Sequence, residues 1–148
     1  VPLLIDGNNV LHRLPEGQRS RRQVRKLALE DARRRRTRVV VVFDGPPPDG
    51  VPEKEHLGRV TIRYSPDLPA DELIVRLLPA SAEVRQWSVV TDDRGLATRA
   101  RDRGAEVRGT REWIEAVTRP PDQDKPEEVR PEELAEWEAF FASRGRDD

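Results

Sequence analysis

The chain has no cysteine and only two histidines, His12 and His56. A disulfide framework, a thiolate zinc site and a cysteine nucleophile are therefore excluded, and any metal ion has to be held mainly by oxygen. Long apolar runs are missing too: nothing approaches the roughly 18 residues that cross a bilayer. The apolar start Val1–Ile5 runs straight into Asp6, so neither a signal peptide nor a membrane partner is expected, and a cytoplasmic location is. Glycine motifs that cradle phosphates are also lacking. No Gly-x-Gly-x-x-Gly follows the first apolar block and no Gly-Lys-Ser/Thr occurs anywhere, which speaks against dinucleotide and P-loop enzymes.

What the chain does have is charge. Charged residues make up 37% of 148 positions and hydrophobic ones 35%, with a net charge of −1. That average hides an asymmetry, because Leu11–Arg38 carries +8 and Thr110–Asp148 carries −6. The apolar residues are gathered into short blocks such as Val39–Phe43, which indicates a folded core rather than disorder. The length fits a single domain of the common size, roughly 100 to 150 residues.

Pro2–Ile5 reads as a buried strand ended by the turn signal Asp6-Gly7-Asn8-Asn9, followed by a loop. Ser20 then caps a helix expected to run to Arg36, with Val24, Leu27, Ala28 and Ala32 on one face. Arg38–Phe43 is a second strand, closed by Asp44-Gly45 before the proline-rich Pro46–Pro52. Val60–Tyr64 alternates like a half-buried strand, and Pro69 opens a helix over Ala70–Leu78. A strand at Trp87–Thr91, a helix over Arg94–Arg103 stopped by Gly104, a short strand at Glu106–Arg108 and an amphipathic helix at Thr110–Val117 complete the alternation. Beyond Pro120 and Pro121, a last helix at Pro131–Ser143 is expected to dock on the same domain through Leu134, Trp137, Phe140 and Phe141. Strands alternating with helices predict a three-layer α/β/α sandwich with a mostly parallel sheet.

Functional residues of such a sheet collect beyond the carboxyl ends of its strands. Asp6, Asp44 and the pair Asp92-Asp93 all follow strand ends, and Asp71 lies in the opening turn of a helix on the same edge. Singly, each is an ordinary turn or helix-start acid. Together they repel, by about 4 kcal/mol for two charges ~4 Å apart at an effective dielectric near 20, so a cation is expected among them. Hard oxygen donors without sulfur select Mg²⁺ or Mn²⁺. Such a site suits phosphodiester hydrolysis without a side-chain nucleophile.

Four segments, Leu4-Ile5-Asp6-Gly7-Asn8-Asn9-Val10, Val42-Phe43-Asp44-Gly45, Tyr64-Ser65-Pro66 with Ala70–Ile74, and Val89–Leu96, resemble the YacP-like branch of the NYN nucleases within the PIN-like superfamily. The resemblance implies a PIN-like nuclease domain over residues 1–118, with 119–148 as linker and C-terminal helix. It implies a divalent-metal endoribonuclease acting on RNA, with mRNA on the ribosome as the expected substrate. Asp6, Asp71 and Asp93 match its metal-holding positions, Asp44 and Asn9 match supporting ones, and Asp92 is either a further ligand or a turn residue. One departure is that no further acid closely follows Asp93, Asp102 being about two helical turns on. A site so sparse in carboxylates holds metal weakly, or only with substrate present.

An acidic pocket admits RNA only within basic surroundings. Arg13, Arg19, Arg21, Arg22 and Arg25, in the loop and early helix after the first strand, are the expected RNA contacts, together with Arg94. Arg33–Arg36, at the far end of that helix, reads as a solvated face or a different contact surface. His12 is set aside as a loop histidine, while Trp87, Trp113 and Tyr64 are assigned to the core. The competing reading is a catalytically silent RNA-binding or scaffold module. A receiver-like domain would need a lysine near a later strand end, and none lies between Lys54 and Lys125. A phosphatase with an aspartyl nucleophile would want an acid where Asn8 stands.

Overall fold

Strand β1, Leu3–Asp6, is buried along its whole length. It leads without a loop into helix α1, Gly7–Arg13, where the sequence predicts a turn. Asp-Gly-Asn-Asn is poor helix material, but tertiary contact overrides propensity. Val10 is fully buried, and Gly7 sits so tightly that a Cβ there would stand 2.7 Å from the Phe43 ring and 2.9 Å from the Val42 carbonyl oxygen. Because one of those neighbours is backbone, Gly7→Ala is expected to cost about 1–3 kcal/mol, the usual range for overpacking. Chemical denaturation measures it, and an unchanged midpoint and slope would show that α1 is free to lift from the sheet.

Ser20 caps helix α2, Arg21–Arg35, by accepting from the Gln23 amide. Strand β2, Val39–Asp44, follows. Next comes a hairpin of β3, Lys54–Leu57, and β4, Val60–Ser65, turning at Gly58, whose φ is +63°. The sequence reading misses β3 because Lys-Glu-His-Leu is a polar edge strand, the composition that keeps an edge from recruiting other chains. It also expects β4 to be half-buried, whereas β3 on one side and β2 on the other bury almost all of it.

Helix α3, Ala70–Leu77, a turn of 3-10 helix at Ala82–Gln86, strand β5, Ser88–Val90, helix α4, Arg94–Arg103, strand β6, Glu106–Arg108, and helix α5, Thr110–Thr118, follow in turn. Gly104 stops α4 at a left-handed φ of 103°. The structure, a computed structural model, describes residues 1–120; the expected last helix lies outside the described residues. Val1–Val117 form one compact unit. Among the described residues no helix is long and apolar enough to cross a membrane.

The strand order is β3-β4-β2-β1-β5-β6, parallel throughout except for the β3–β4 pair. Leu3, Ile5, Val41, Phe43, Ile62 and Tyr64 face Val10, Val24, Leu27, Trp113 and Val117 on one side. Leu4, Val42 and Val89 face Ile74, Val75, Leu96 and Ala100 on the other. That is the expected three-layer sandwich. From β1 the chain winds one way to β2 and β4 and the other way to β5 and β6, so the crevice of such a fold opens beyond the carboxyl ends of β1 and β5.

Candidate active site

Asp6 closes β1 at that crevice and is only 8% exposed. Its neighbour across the crevice is Thr91, just past β5, whose hydroxyl donates to Asp6 Oδ2 at 3.0 Å and accepts from the Asp93 amide at 3.1 Å. One side chain thus ties two of the expected acids together. Burial pushes the Asp6 carboxyl above the ordinary carboxylate value of 3.8, against the Thr91 hydroxyl and the Asn9 amide, which favour the charged form; the negative charges of Asp93 and then Asp71 push it further up. Asp93 and Asp71 therefore both lie within electrostatic reach of Asp6.

Asp93 is the N-cap of α4, its Oδ1 accepting from the Leu96 amide at 3.0 Å. Gly95 leaves room for that carboxylate, since a Cβ there would stand 3.2 Å from Oδ1. Asp71, in the first turn of α3, faces α4 instead. Arg99 reaches across to it at 3.9 Å and to Glu72 at 3.4 Å. Asp71 meets Arg99 only at 3.9 Å, whereas Asp6 is held by Thr91 and Asp93 by the Leu96 amide, which makes Asp71 the member with the most freedom to move. Among the described residues no three carboxylate or imidazole side chains already stand at metal-binding spacing. In donor chemistry the three acids fit a hard divalent ion, and assembling them needs a side-chain movement for which Asp71 is placed.

The remaining acids and amides of the motif brace this arrangement. Asn8 accepts from the Asp44 amide at 2.8 Å, and Asn9 accepts from the Asp92 amide at 2.8 Å, so α1 pins both flanking strand ends. Asp44 Oδ1 in turn accepts from the Ala70 amide at 3.2 Å, fixing the start of α3 and hence Asp71. Asn9 and Asp44, expected as supports, each accept from a backbone amide beside the crevice. Asp92 is engaged elsewhere: Thr110 donates to it through its amide at 3.0 Å and its hydroxyl at 2.5 Å, and Arg13 Nε donates at 2.8 Å. Burial acts upward on its carboxyl, but the two Thr110 bonds and Arg13 outweigh it and hold the group below 3.8. With both oxygens committed, Asp92 acts as a clamp between α1, α4 and α5.

The predicted RNA contacts divide by what already holds them. Arg13 is spent on Asp92, Arg19 donates to the Leu14 carbonyl at 2.9 Å, and Arg25 pairs with Glu55 at 3.5 Å. Arg21 lies over the Phe43 and Tyr64 rings, 5.5 and 5.4 Å from their centroids. Arg22 is exposed. Arg94 lines a cleft of about 480 Å³ beside the acids, with Thr98 and Arg101 one and two turns along α4 and Gly109 opposite. His12 is exposed. Asn8, Thr91, Arg99 and Arg101 are absent from the sequence-based set. Thr91 is the one with a signal, standing two residues before Asp93 where the motif already fixes the spacing.

A family model for the YacP-like NYN domain matches residues 3–139. The fold is similar to the crystal structure of Rae1 (YacP) from Bacillus subtilis, with a TM-score of 0.62 and 22% identity over 99% of this chain and 93% of that one. A mutant of the same protein gives 0.61 and 25% over 78% and 74%. No curated protein matches the chain. The family match takes in every strand of the sheet and Asp6, Asp71 and Asp93, and on that ground the chain belongs to the YacP-like NYN domain family, a nuclease-type branch of the PIN-like fold.

Proposed function

We propose that this protein is a divalent-metal-dependent endoribonuclease that hydrolyses RNA phosphodiester bonds, with Asp6, Asp71 and Asp93 as the metal-holding set and Mg²⁺ or Mn²⁺ as the ion. The observation that carries the reading is Asp6: a carboxyl buried at the crevice, pushed up by its burial and then by the charges of two acids from other segments. A fold that gathers negative charge around a buried carboxylate favours a cation there. When bound, such an ion polarises the phosphoryl oxygen, activates a water and neutralises the leaving alkoxide.

The protein's own groups divide the remaining work. Thr91 orients the Asp6 carboxylate, and Asn8 and Asp44 set the start of α3, the helix that carries Asp71. Arg99 keeps Asp71 partly neutralised. The cleft with Arg94, Thr98 and Arg101 receives the phosphates flanking the scissile bond, where guanidinium groups match phosphate geometry. The finer form of the substrate, mRNA and in particular mRNA on the ribosome, rests on the family resemblance.

The test is incubation of varied RNAs with Mg²⁺, Mn²⁺ or chelator, with mapping of the cleaved ends. Wild type should give internal cuts only with metal. Asp71→Asn and Asp93→Asn, which keep shape and, at 93, a good helix cap, should lose on the order of 10²–10³-fold in rate, ~3–4 kcal/mol of transition-state stabilisation. Asp92→Asn should stay within about tenfold of wild type, since it loses only part of a structural tie. The opposite order at 92 and 93 would reassign the ligand. RNA binding by wild type without cleavage under either metal would favour the silent-module reading.

A further inference from the structure

Of the run Arg33–Arg36, three members are internally bound. Arg33 donates to Glu30 at 2.7 Å, Arg34 to the Ala116 and Val117 carbonyls at 3.4 and 2.5 Å, and Arg35 to Asp31 at 2.9 and 3.1 Å. Arg36 has no such partner among the described residues. It ends α2 at a φ of 51°, a left-handed conformation that costs a non-glycine residue about 1 kcal/mol or more. There it lines a hollow of about 400 Å³ shared with Arg38, His56, Gly58, Arg59 and Thr61. Among the described residues, three guanidiniums and an imidazole line this volume and no carboxylate does.

The hollow is built rather than incidental. The Val39 amide donates to the Arg59 carbonyl at 3.0 Å, locking the hairpin turn to β2. His56 Nδ1 and Thr61 Oγ1 are 3.1 Å apart, and the Arg38 guanidinium lies 5.4 Å over the Trp87 ring. Two positive charges ~8 Å apart repel by about 2 kcal/mol at an effective dielectric of 20. Three gathered with no counter-charge among the described lining residues favour an anion, and the guanidinium fork selects phosphate oxygens.

The positive line continues from the hollow. Thr61 and Arg63 share one face of β4, and the residues directly opposite them on β3 are His56 and Lys54. Arg63 is half-buried, and among the described residues its Nε has no hydrogen-bond partner. Two residues on, β4 ends at Ser65, paired with Asp44 at the acidic edge.

We propose that Arg36, Arg38 and Arg59, continued by Arg63 and Lys54, form a second phosphate-binding surface that holds the RNA backbone at the end of the sheet opposite the acids. This rests on the ribonuclease reading for the identity of the ligand. The six residues of β4 separate the two sites by roughly 20 Å at ~3.3 Å per residue, or about six stacked nucleotides at ~3.4 Å each. Short RNA cannot span both sites; long RNA can.

The test uses the full chain in chelator, with a single-stranded RNA of about 30 nucleotides and one of about four, titrated by fluorescence anisotropy over a range of salt. Arg36→Ala/Arg59→Ala should bind the long RNA on the order of tenfold more weakly. Its slope of log affinity against log salt should be shallower by about 1.4, at ~0.7 for each of the two phosphates no longer neutralised. Affinity for the short RNA should not change, and Arg36→Lys/Arg59→Lys should restore most of the slope. Equal long-RNA affinity and slope in wild type and the alanine variant rejects the surface. Inorganic phosphate shifting the His56 imidazole resonances while long-RNA binding stays unchanged by the alanine variant makes this a small-anion site and overturns the RNA assignment. Binding of neither RNA by wild type rejects the ribonuclease reading itself, and this surface with it.

Discussion

Asp6→Asn is expected to melt higher than the wild type at neutral pH in chelator, yet to cleave RNA on the order of 10³-fold more slowly, a loss of ~4 kcal/mol in transition-state stabilisation. The two effects have one cause. Burial pushes the Asp6 carboxyl above 3.8, and Asp93 and Asp71 add to the push. The folded protein therefore binds the Asp6 proton more tightly than the unfolded chain does. Stability from that proton is fully present below the ordinary carboxylate value and is lost as pH rises through the raised folded value. At neutral pH the metal-free wild type carries a charge the fold disfavours, whereas asparagine carries none, and its carbonyl still accepts from Thr91. The difference in melting temperature should shrink as pH is lowered through the raised folded value, where the wild-type carboxyl recovers its proton. Added Mg²⁺ or Mn²⁺ should raise the melting temperature of the wild type and leave the variant unmoved, because only the former gains a ligand in the folded state. Thermal melts across pH, with and without metal, measure all of this. A variant less stable than wild type at neutral pH in chelator would show that the charge on Asp6 is already compensated, and the argument for a cation there would fail.

The parts of this fold legible in the sequence are those whose information is local. Val39–Phe43 and Leu3–Ile5 announce buried strands by composition, and Ser20 and Gly104 announce helix ends by the conformations they favour. Helix α1 and strand β3 are not legible. Gly7 packs against Phe43, some 36 residues away, and Asn8 and Asn9 accept from the Asp44 and Asp92 amides, while Lys54–Leu57 is a strand only because β4 offers it an edge. The site divides in the same way. Asp6 and Asp93 stand out as acids at strand ends, but what Thr91, Asn8 and Arg99 do is set by partners distant in sequence. Charge composition shows that Arg13, Arg19, Arg21 and Arg25 are basic; only the folded arrangement shows that they are occupied, and that Arg36, read as a solvated face or a different contact surface, has no hydrogen-bond partner among the described residues.

Asp31 is the acid whose role is most opposed to that of Asp6. It lies in α2 with 4% exposure, accepting from Trp113 Nε1 at 3.0 Å and from Arg35 at 2.9 and 3.1 Å. It thus fastens α5 to α2 on the face of the sheet away from α3 and α4. In Asp31→Ala the indole N–H of a fully buried tryptophan loses its acceptor, at about 1–3 kcal/mol. Arg35 loses its partner too, but its side chain is 42% exposed and can turn to water, which keeps the total well short of a fully buried pair. The expected cost is about 2–4 kcal/mol, a large share of the ~5–15 kcal/mol that holds a domain of this size. Asp31→Asn keeps an acceptor for Trp113 and should cost about 1 kcal/mol. Neither variant touches the acidic edge, so cleavage measured well below the melting temperature should match wild type within about twofold, less than ~0.5 kcal/mol. An Asp31→Ala protein within about 1 kcal/mol of wild type in chemical denaturation would mean that α5 is held chiefly by the burial of Trp113 and Val117, with the carboxylate adding little. A loss at Asp31 seen only in stability, set beside a gain at Asp6 seen only without metal, would separate the carboxylate that serves the fold from the one the fold tolerates for chemistry.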